Sequence, residues 1–84
     1  MSNILLFTAT GCDYCDKMRD NIIDSGITVP VQEIDNDSNP DLVRKYGIQI
    51  LPTLILINEQ GQHRLNGLQT TTKIKEWVNG KEKA

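Results

Sequence analysis

The chain of 84 residues is short of the features that mark most specialised classes of protein. It has two cysteines, one histidine and one tryptophan. Two cysteines exclude a small secreted scaffold stapled by several disulfides, which uses four or more in a chain this short. Nine Lys+Arg stand against eleven Asp+Glu, a net charge of −2. That balance leaves no electrostatic footprint for nucleic acid or for an anionic membrane surface. No apolar run approaches a membrane span, and the four apolar residues Ile4, Leu5, Leu6 and Phe7 follow no basic residue, so they do not make a signal-peptide core. The expectation is a cytoplasmic protein. Internal repeats, low-complexity stretches and linkers are absent too. A chain of this length folds as one domain, residues 1–84, burying about 63% of its extended-chain surface and leaving about 5,000 Å² exposed. One core is possible at that size, with an expected stability of roughly 4–13 kcal/mol.

What is present is two apolar runs and a set of helix signals. Residues 3–7 end in a continuous apolar run, the pattern of a strand covered on both faces. After a loop at 8–11, Cys15, Met18 and Ile22 recur at helical spacing, Tyr14 and Ile23 widen that stripe, and Gly26 stands at the helix end. Residues 28–34 read as a second strand, pushed to a sheet edge by Pro30. Asp37-Ser38-Asn39-Pro40-Asp41 starts a short helix, with Leu42, Val43 and Tyr46 inward and Gly47 as its stop. Residues 53–57 form the second apolar run, placed centrally; a turn at 58–61 and an edge strand at 62–66 follow. Thr70 or Thr71 caps a last helix with Ile74, Trp77 and Val78 on one face, ending before Gly80 and leaving the tail 81–84 frayed. The order β-α-β-α-β-β-α specifies a four-stranded mixed α/β sheet with helices on both faces, its first crossover parallel and right-handed.

The chemistry is concentrated in Gly11-Cys12-Asp13-Tyr14-Cys15. Residues i and i+3 at a helix start are neighbours, so Cys12 and Cys15 can close a disulfide. A ring of four residues constrains the unfolded chain by only about 2 kcal/mol, against about 4.7 for a 100-residue loop. Such a bond is better suited to opening and closing than to stapling. Free N–H groups and the helix dipole stabilise a thiolate on Cys12, lowering its pKa below about 8.5. Cys12 is therefore expected to attack a target disulfide and Cys15 to resolve the mixed disulfide. Asp13 and Asp16 oppose the thiolate and Lys17 and Arg19 offset them, with a net sign that spacing does not give. Three other readings compete: inert buried cysteines, half a zinc site with His63, and an iron–sulfur cluster shared between chains. Zinc wants four ligands, and His63 falls on the edge strand with its side chain expected in water. The acids Glu33, Asp35 and Asp37 read as a solvated edge, and Tyr46 and Trp77 as core packing.

These residues resemble the thioredoxin/glutaredoxin superfamily over nearly the whole chain. The carrying segments are Leu5-Leu6-Phe7 before the cysteine pair, Ile34-Asp35, Asn39-Pro40, Tyr46-Gly47-Ile48, Leu51-Pro52-Thr53-Leu54-Ile55-Leu56 and Asn66-Gly67-Leu68. The resemblance implies a thioredoxin fold, a thiol–disulfide oxidoreductase with catalytic Cys12 and Cys15, and a cis Leu51–Pro52 bond packed against the pair. It further implies that the Leu51 main chain pairs with an extended substrate segment, that Pro52 shapes the turn, and that Gly67 lets substrate approach. Gly11, Asp13 and Tyr14 complete the expected substrate-binding set.

The departures from the family pattern are specific. Gly11 stands where thioredoxins carry tryptophan, and Asp13-Tyr14 where they carry Gly-Pro. Their buried aspartate falls at Leu6 and its lysine partner at about Val31, so solvent or Asp16 has to move the proton of Cys15. Glutaredoxins in turn show Thr-Val-Pro, a second glycine and an acidic pair for glutathione, none of which Ile50-Leu51-Pro52 or Asn66-Gly67-Leu68-Gln69-Thr70 supplies. The reading is a monomeric, thioredoxin-like electron donor to disulfide-containing proteins. It needs no dissociable cofactor or metal and is recharged by a reductase of the thioredoxin-reductase type rather than by glutathione. The alternatives are a glutathione-dependent glutaredoxin and a docking module that uses the Leu51–Pro52 face. The size suits the small glutaredoxin-like proteins that behave as thioredoxins, some of which reduce ribonucleotide reductase.

Overall fold

A computed structural model describes residues 2–82. Along the chain run β1 (Asn3–Thr8), α1 (Asp13–Ser25), β2 (Val31–Asp35), α2 (Pro40–Tyr46), β3 (Thr53–Asn58), β4 (Gly61–Asn66) and α3 (Thr71–Glu82). The sheet order is β2-β1-β3-β4, so the two apolar runs occupy the two central strands. β1 pairs parallel with β2 and antiparallel with β3, and β3 pairs antiparallel with β4. This is the thioredoxin fold, in the element order that the sequence pattern specifies.

Strand alternation divides β1 and β3 between two cores. Ile4, Leu6, Leu54 and Leu56 face α1 and α3, where they meet Met18, Ile22, Ile74 and Val78, with half-buried Trp77 against the cluster. Leu5, Phe7 and Ile55 face the other way and meet Leu42, Val43 and Tyr46 of α2. Phe7 and Tyr46 pack edge to face with ring centroids 5.9 Å apart. Both aromatic residues read as packing groups are thus at the edge of a core.

Four local expectations are corrected. β2 begins at Val31 rather than at 28, although Pro30 still contributes its carbonyl to the Ile4 N–H. Tyr14 and Ile23 are exposed, at 62% and 71%, because each sits about 100° around the helix from its buried neighbour, Cys15 or Ile22. Gly80 does not end the last helix, which runs through it to Glu82. The helix cap is Thr70, whose hydroxyl accepts the Lys73 N–H at 3.1 Å. Of the tail expected to fray, Lys81 and Glu82 are helical, and residues 83–84 lie outside the described residues.

Candidate active site at the start of the first helix

Three segments converge at the end of the sheet where β1 finishes. Phe7 lies opposite Thr53, so the loop leaving β1 and the turn entering β3 are adjacent. Thr53 lies opposite Asn66, which brings the segment after β4 to the same end. Local bonds hold each piece. The Thr53 hydroxyl donates to the Ile50 carbonyl at 2.5 Å, closing the turn that contains Leu51 and Pro52. The Gly67 N–H donates to the Pro52 carbonyl at 2.7 Å. Gln69 is tied to α1, donating its N–H to Met18 Sδ at 3.5 Å and accepting from Asn21 Nδ2 at 2.9 Å.

Cys12 and Cys15 are joined as a disulfide, with Cα atoms 5.2 Å apart. Cys12 is the N-cap of α1: its backbone is extended, and its sulfur accepts the Cys15 N–H at 3.1 Å. An N-cap side chain faces the unpaired amides of the first turn, where the partial positive charge of the helix concentrates. Cys15 has no exposed surface, whereas Cys12 is half-buried. One sulfur is therefore open to an incoming disulfide and the other is reached from it.

The remaining sequence-chosen residues belong to the three segments at this end of the sheet. Gly11 precedes it with φ +75°, a left-handed conformation natural to glycine, and Asp13 and Tyr14 are exposed between the cysteines. The Leu51–Pro52 bond is cis; Pro52 is buried and Leu51 half-buried. Gly67 also takes a positive φ, +82°, and an added Cβ there would stand 3.8 Å from Ile50 Cδ1. Ile50 and Leu68 are both exposed. Sequence reasoning did not single out these two; their apolar character beside the proline turn and Gly67 was the available signal.

Charge near the pair is arranged across elements. Arg19 of α1 donates to both carboxylate oxygens of Glu33 on β2 and to Asp16, each at 2.8 Å, and Glu33 also accepts the Thr8 hydroxyl at 3.1 Å. The Arg19 guanidinium holds the Glu33 carboxyl below its ordinary range, with a smaller contribution from Thr8. Glu33 is thus an ion-paired residue and not merely a solvated edge acid. Asp35 accepts from the Ser38 N–H and hydroxyl, capping the turn before α2. His63 is on the edge strand, but its Nε2 is covered and lacks a hydrogen-bond partner instead of facing water. It lies opposite Leu56, which puts it on the side of the sheet that packs α1 and α3. Among the described residues, no group of three or more His, Cys, Asp or Glu is placed to hold a metal ion, and no helix is long and apolar enough to cross a membrane.

A family model described as thioredoxin matches residues 2–80. A thioredoxin-like protein of Synechocystis sp. is 36% identical over 74 residues, spanning 81% of this chain and 70% of that protein. Among solved structures, a chloroplastic thioredoxin z superposes with a TM-score of 0.84 at 29% identity, covering 100% of this chain and 80% of the other. A mutant thioredoxin of Halobacterium salinarum gives 0.84 at 26% identity, over 94% and 73% of the two chains.

Proposed function

The chain belongs to the thioredoxin family, with a Cys-x-x-Cys pair that supports thiol–disulfide oxidoreductase activity, and from that premise we propose that it reduces disulfides in other proteins. The observation that carries this reading is the asymmetry of the pair, an N-capping Cys12 at the surface joined to a Cys15 with no exposure. In the reduced protein the Cys12 thiolate attacks one sulfur of a target disulfide. A mixed disulfide forms and the other target sulfur leaves as a thiolate, taking a proton from solvent. The Cys15 thiol gives its proton to solvent or Asp16 and attacks the Cys12 sulfur. This closes the Cys12–Cys15 bond and releases the second target thiolate, so two electrons have passed to the target.

Leu51 presents its main chain beside the pair, Pro52 shapes that turn, and Gly67 keeps the approach open. Gly11, Asp13 and Tyr14 flank the attacking sulfur, and exposed Ile50 and Leu68 add apolar contact for the target segment. The protein works as a cytoplasmic electron donor, and a reductase of the thioredoxin-reductase type restores the dithiol. The residues before Pro52 and after Gly67 favour this donor over glutathione, because Ile50-Leu51 lacks the threonine, and Leu68-Gln69-Thr70 the second glycine and acids, of a glutathione site.

The deciding experiment follows NADPH consumption with a protein disulfide as terminal acceptor, with Cys12→Ser as blank. Recycling by thioredoxin reductase is compared with recycling by glutathione and glutathione reductase. Turnover through thioredoxin reductase is expected. Turnover only through glutathione would replace this reading with a glutaredoxin, and partner binding without any turnover would point to a docking module.

A further inference from the structure

A cleft bordered by Gly11, the residue before Cys12, runs between the loop after β1, the first turns of α1, and β2. It is lined in part by Thr8, Gly11, Asp16, Arg19, Glu33 and Asp35. The disulfide exchange described above assigns no role to Arg19 or Glu33. Yet Arg19 is committed there at all three guanidinium nitrogens: Nε and one terminal nitrogen to Glu33, the other terminal nitrogen to Asp16. A planar fork bonded in this way to carboxylates from two elements is fixed in position as well as in charge.

Asp16 is the group through which this arrangement reaches the active site. It lies four residues after Cys12, and its N–H donates to the Cys12 carbonyl at 3.2 Å. Asp16 stands in the first turn of the helix that Cys12 caps, and Asp16 and Gly11 border the same cleft. An uncompensated carboxylate in that place opposes a negative sulfur, cancelling part of what the helix N-terminus contributes. The other charged groups around Cys12 are Asp13 and Lys17 on α1, with Glu33 and Asp35 on β2. The rest of the loop after β1, the turn Ile50-Leu51-Pro52 and residues 66–70 contain no charged side chain.

We propose that Arg19 is a positioning residue for the thiol–disulfide reaction: by ion-pairing Asp16 while anchored on Glu33, it keeps the Asp16 carboxylate from suppressing the Cys12 thiolate. The inference rests on Cys12 being the nucleophile. It assigns opposite roles to two residues that touch each other. Arg19 promotes the thiolate and Asp16 opposes it, so their substitutions move the reactivity of Cys12 in opposite directions.

The test is alkylation of the fully reduced protein by iodoacetamide from acid to alkaline pH. Modification at Cys12 and Cys15 is resolved by mass spectrometry, in low salt and again in molar salt. Arg19→Gln should raise the midpoint of the Cys12 profile by about half a pH unit and slow its alkylation at neutral pH about threefold. Asp16→Asn should shift the midpoint downward, and in the Arg19→Gln background it should return the profile to that of the parent protein. Molar salt should shrink every shift. If Arg19→Gln leaves the midpoint in place, or if both substitutions move it the same way, the proposal is wrong. A merely structural Arg19 would lower the thermal midpoint without moving the profile. Should Arg19→Gln fail to fold, the downward shift on Asp16→Asn alone still decides, and its absence overturns the proposal. Alkylation requires neither target nor reductase, so its result is separate from the turnover assay. A parent protein in which Cys15 reacts before Cys12 would sink the nucleophile assignment itself. A faster Cys12 that ignores Arg19 would sink only this inference.

Discussion

Cys12 and Cys15 differ in exposure and in hydrogen bonding although they are three residues apart, and the proposed order of attack rests on that difference. Cys15→Ser should leave the attack of Cys12 intact and block its resolution. The variant should accumulate a mixed disulfide with a target, visible as a mass increase that a reductant removes. Absence of the adduct, with Cys12 reactive, would argue against the order of attack. Glu33 gives a second prediction. Its carboxyl, ordinarily near 4.5, is lowered by the Arg19 hydrogen bonds and by Thr8. A lowered acid contributes stability that is fully present above its unfolded value and is lost as pH falls toward the folded one. The pair is substantially exposed, at 40% and 42%, so the contribution is about 0.2–1 kcal/mol. Glu33→Gln should flatten the fall of the urea midpoint below about pH 4.5, and an unchanged slope would show the pair to be energetically idle. Of this network the sequence contains one legible part, Asp16 and Arg19 at i and i+3. Glu33 is 14 residues further on another element, and no local spacing links it to Arg19.

Helix ends were legible where chemistry enforces them. Gly26 and Gly47 both take left-handed conformations after α1 and α2, and each donates its N–H back into the last turn. Gly80 carries the same residue type with no such geometry, and α3 continues past it. It lacks a positive φ, and an added Cβ would meet nothing within 4 Å. Gly80→Ala should therefore stabilise the protein by about 0.5–1 kcal/mol, through higher helix propensity and a less flexible unfolded chain. A urea titration reads this directly, and destabilisation would mean that the glycine serves a contact outside the helix. Tyr14 and Ile23 show the opposite limit. Both are apolar enough to suggest the buried stripe of α1, but the stripe is only as wide as the sheet beneath it, and Met18 and Ile22 already fill that width.

The exposed surface of the whole molecule, 5152 Å², lies close to the roughly 5,000 Å² expected for its mass. Two cores share one sheet, and both depend on the central strands, so a lesion in β1 is felt on either side. Phe7 has no exposed surface and anchors the α2 side against Tyr46. Truncation to alanine should cost about 3–5 kcal/mol, a large share of a total of roughly 4–13 kcal/mol. Phe7→Ala should unfold at much lower urea than the parent. A loss below about 1 kcal/mol would mean that the α2 layer contributes little to the fold.

Much of this molecule could be read from residues near one another in the chain. The apolar runs, the glycine stops, the Asn39-Pro40 start and the Cys-x-x-Cys pair are short-range patterns, because helix, strand and turn preferences act over a few residues. From them came the element order, the central strands and the cysteine pair at the start of α1. The arrangement around that pair required segments far apart in sequence. Arg19 meets Glu33, Gln69 meets Met18 and Gly67 meets Pro52 only once the sheet has set its register. An unfolded chain does not hold such pairs together against its conformational entropy, so no local signal records them.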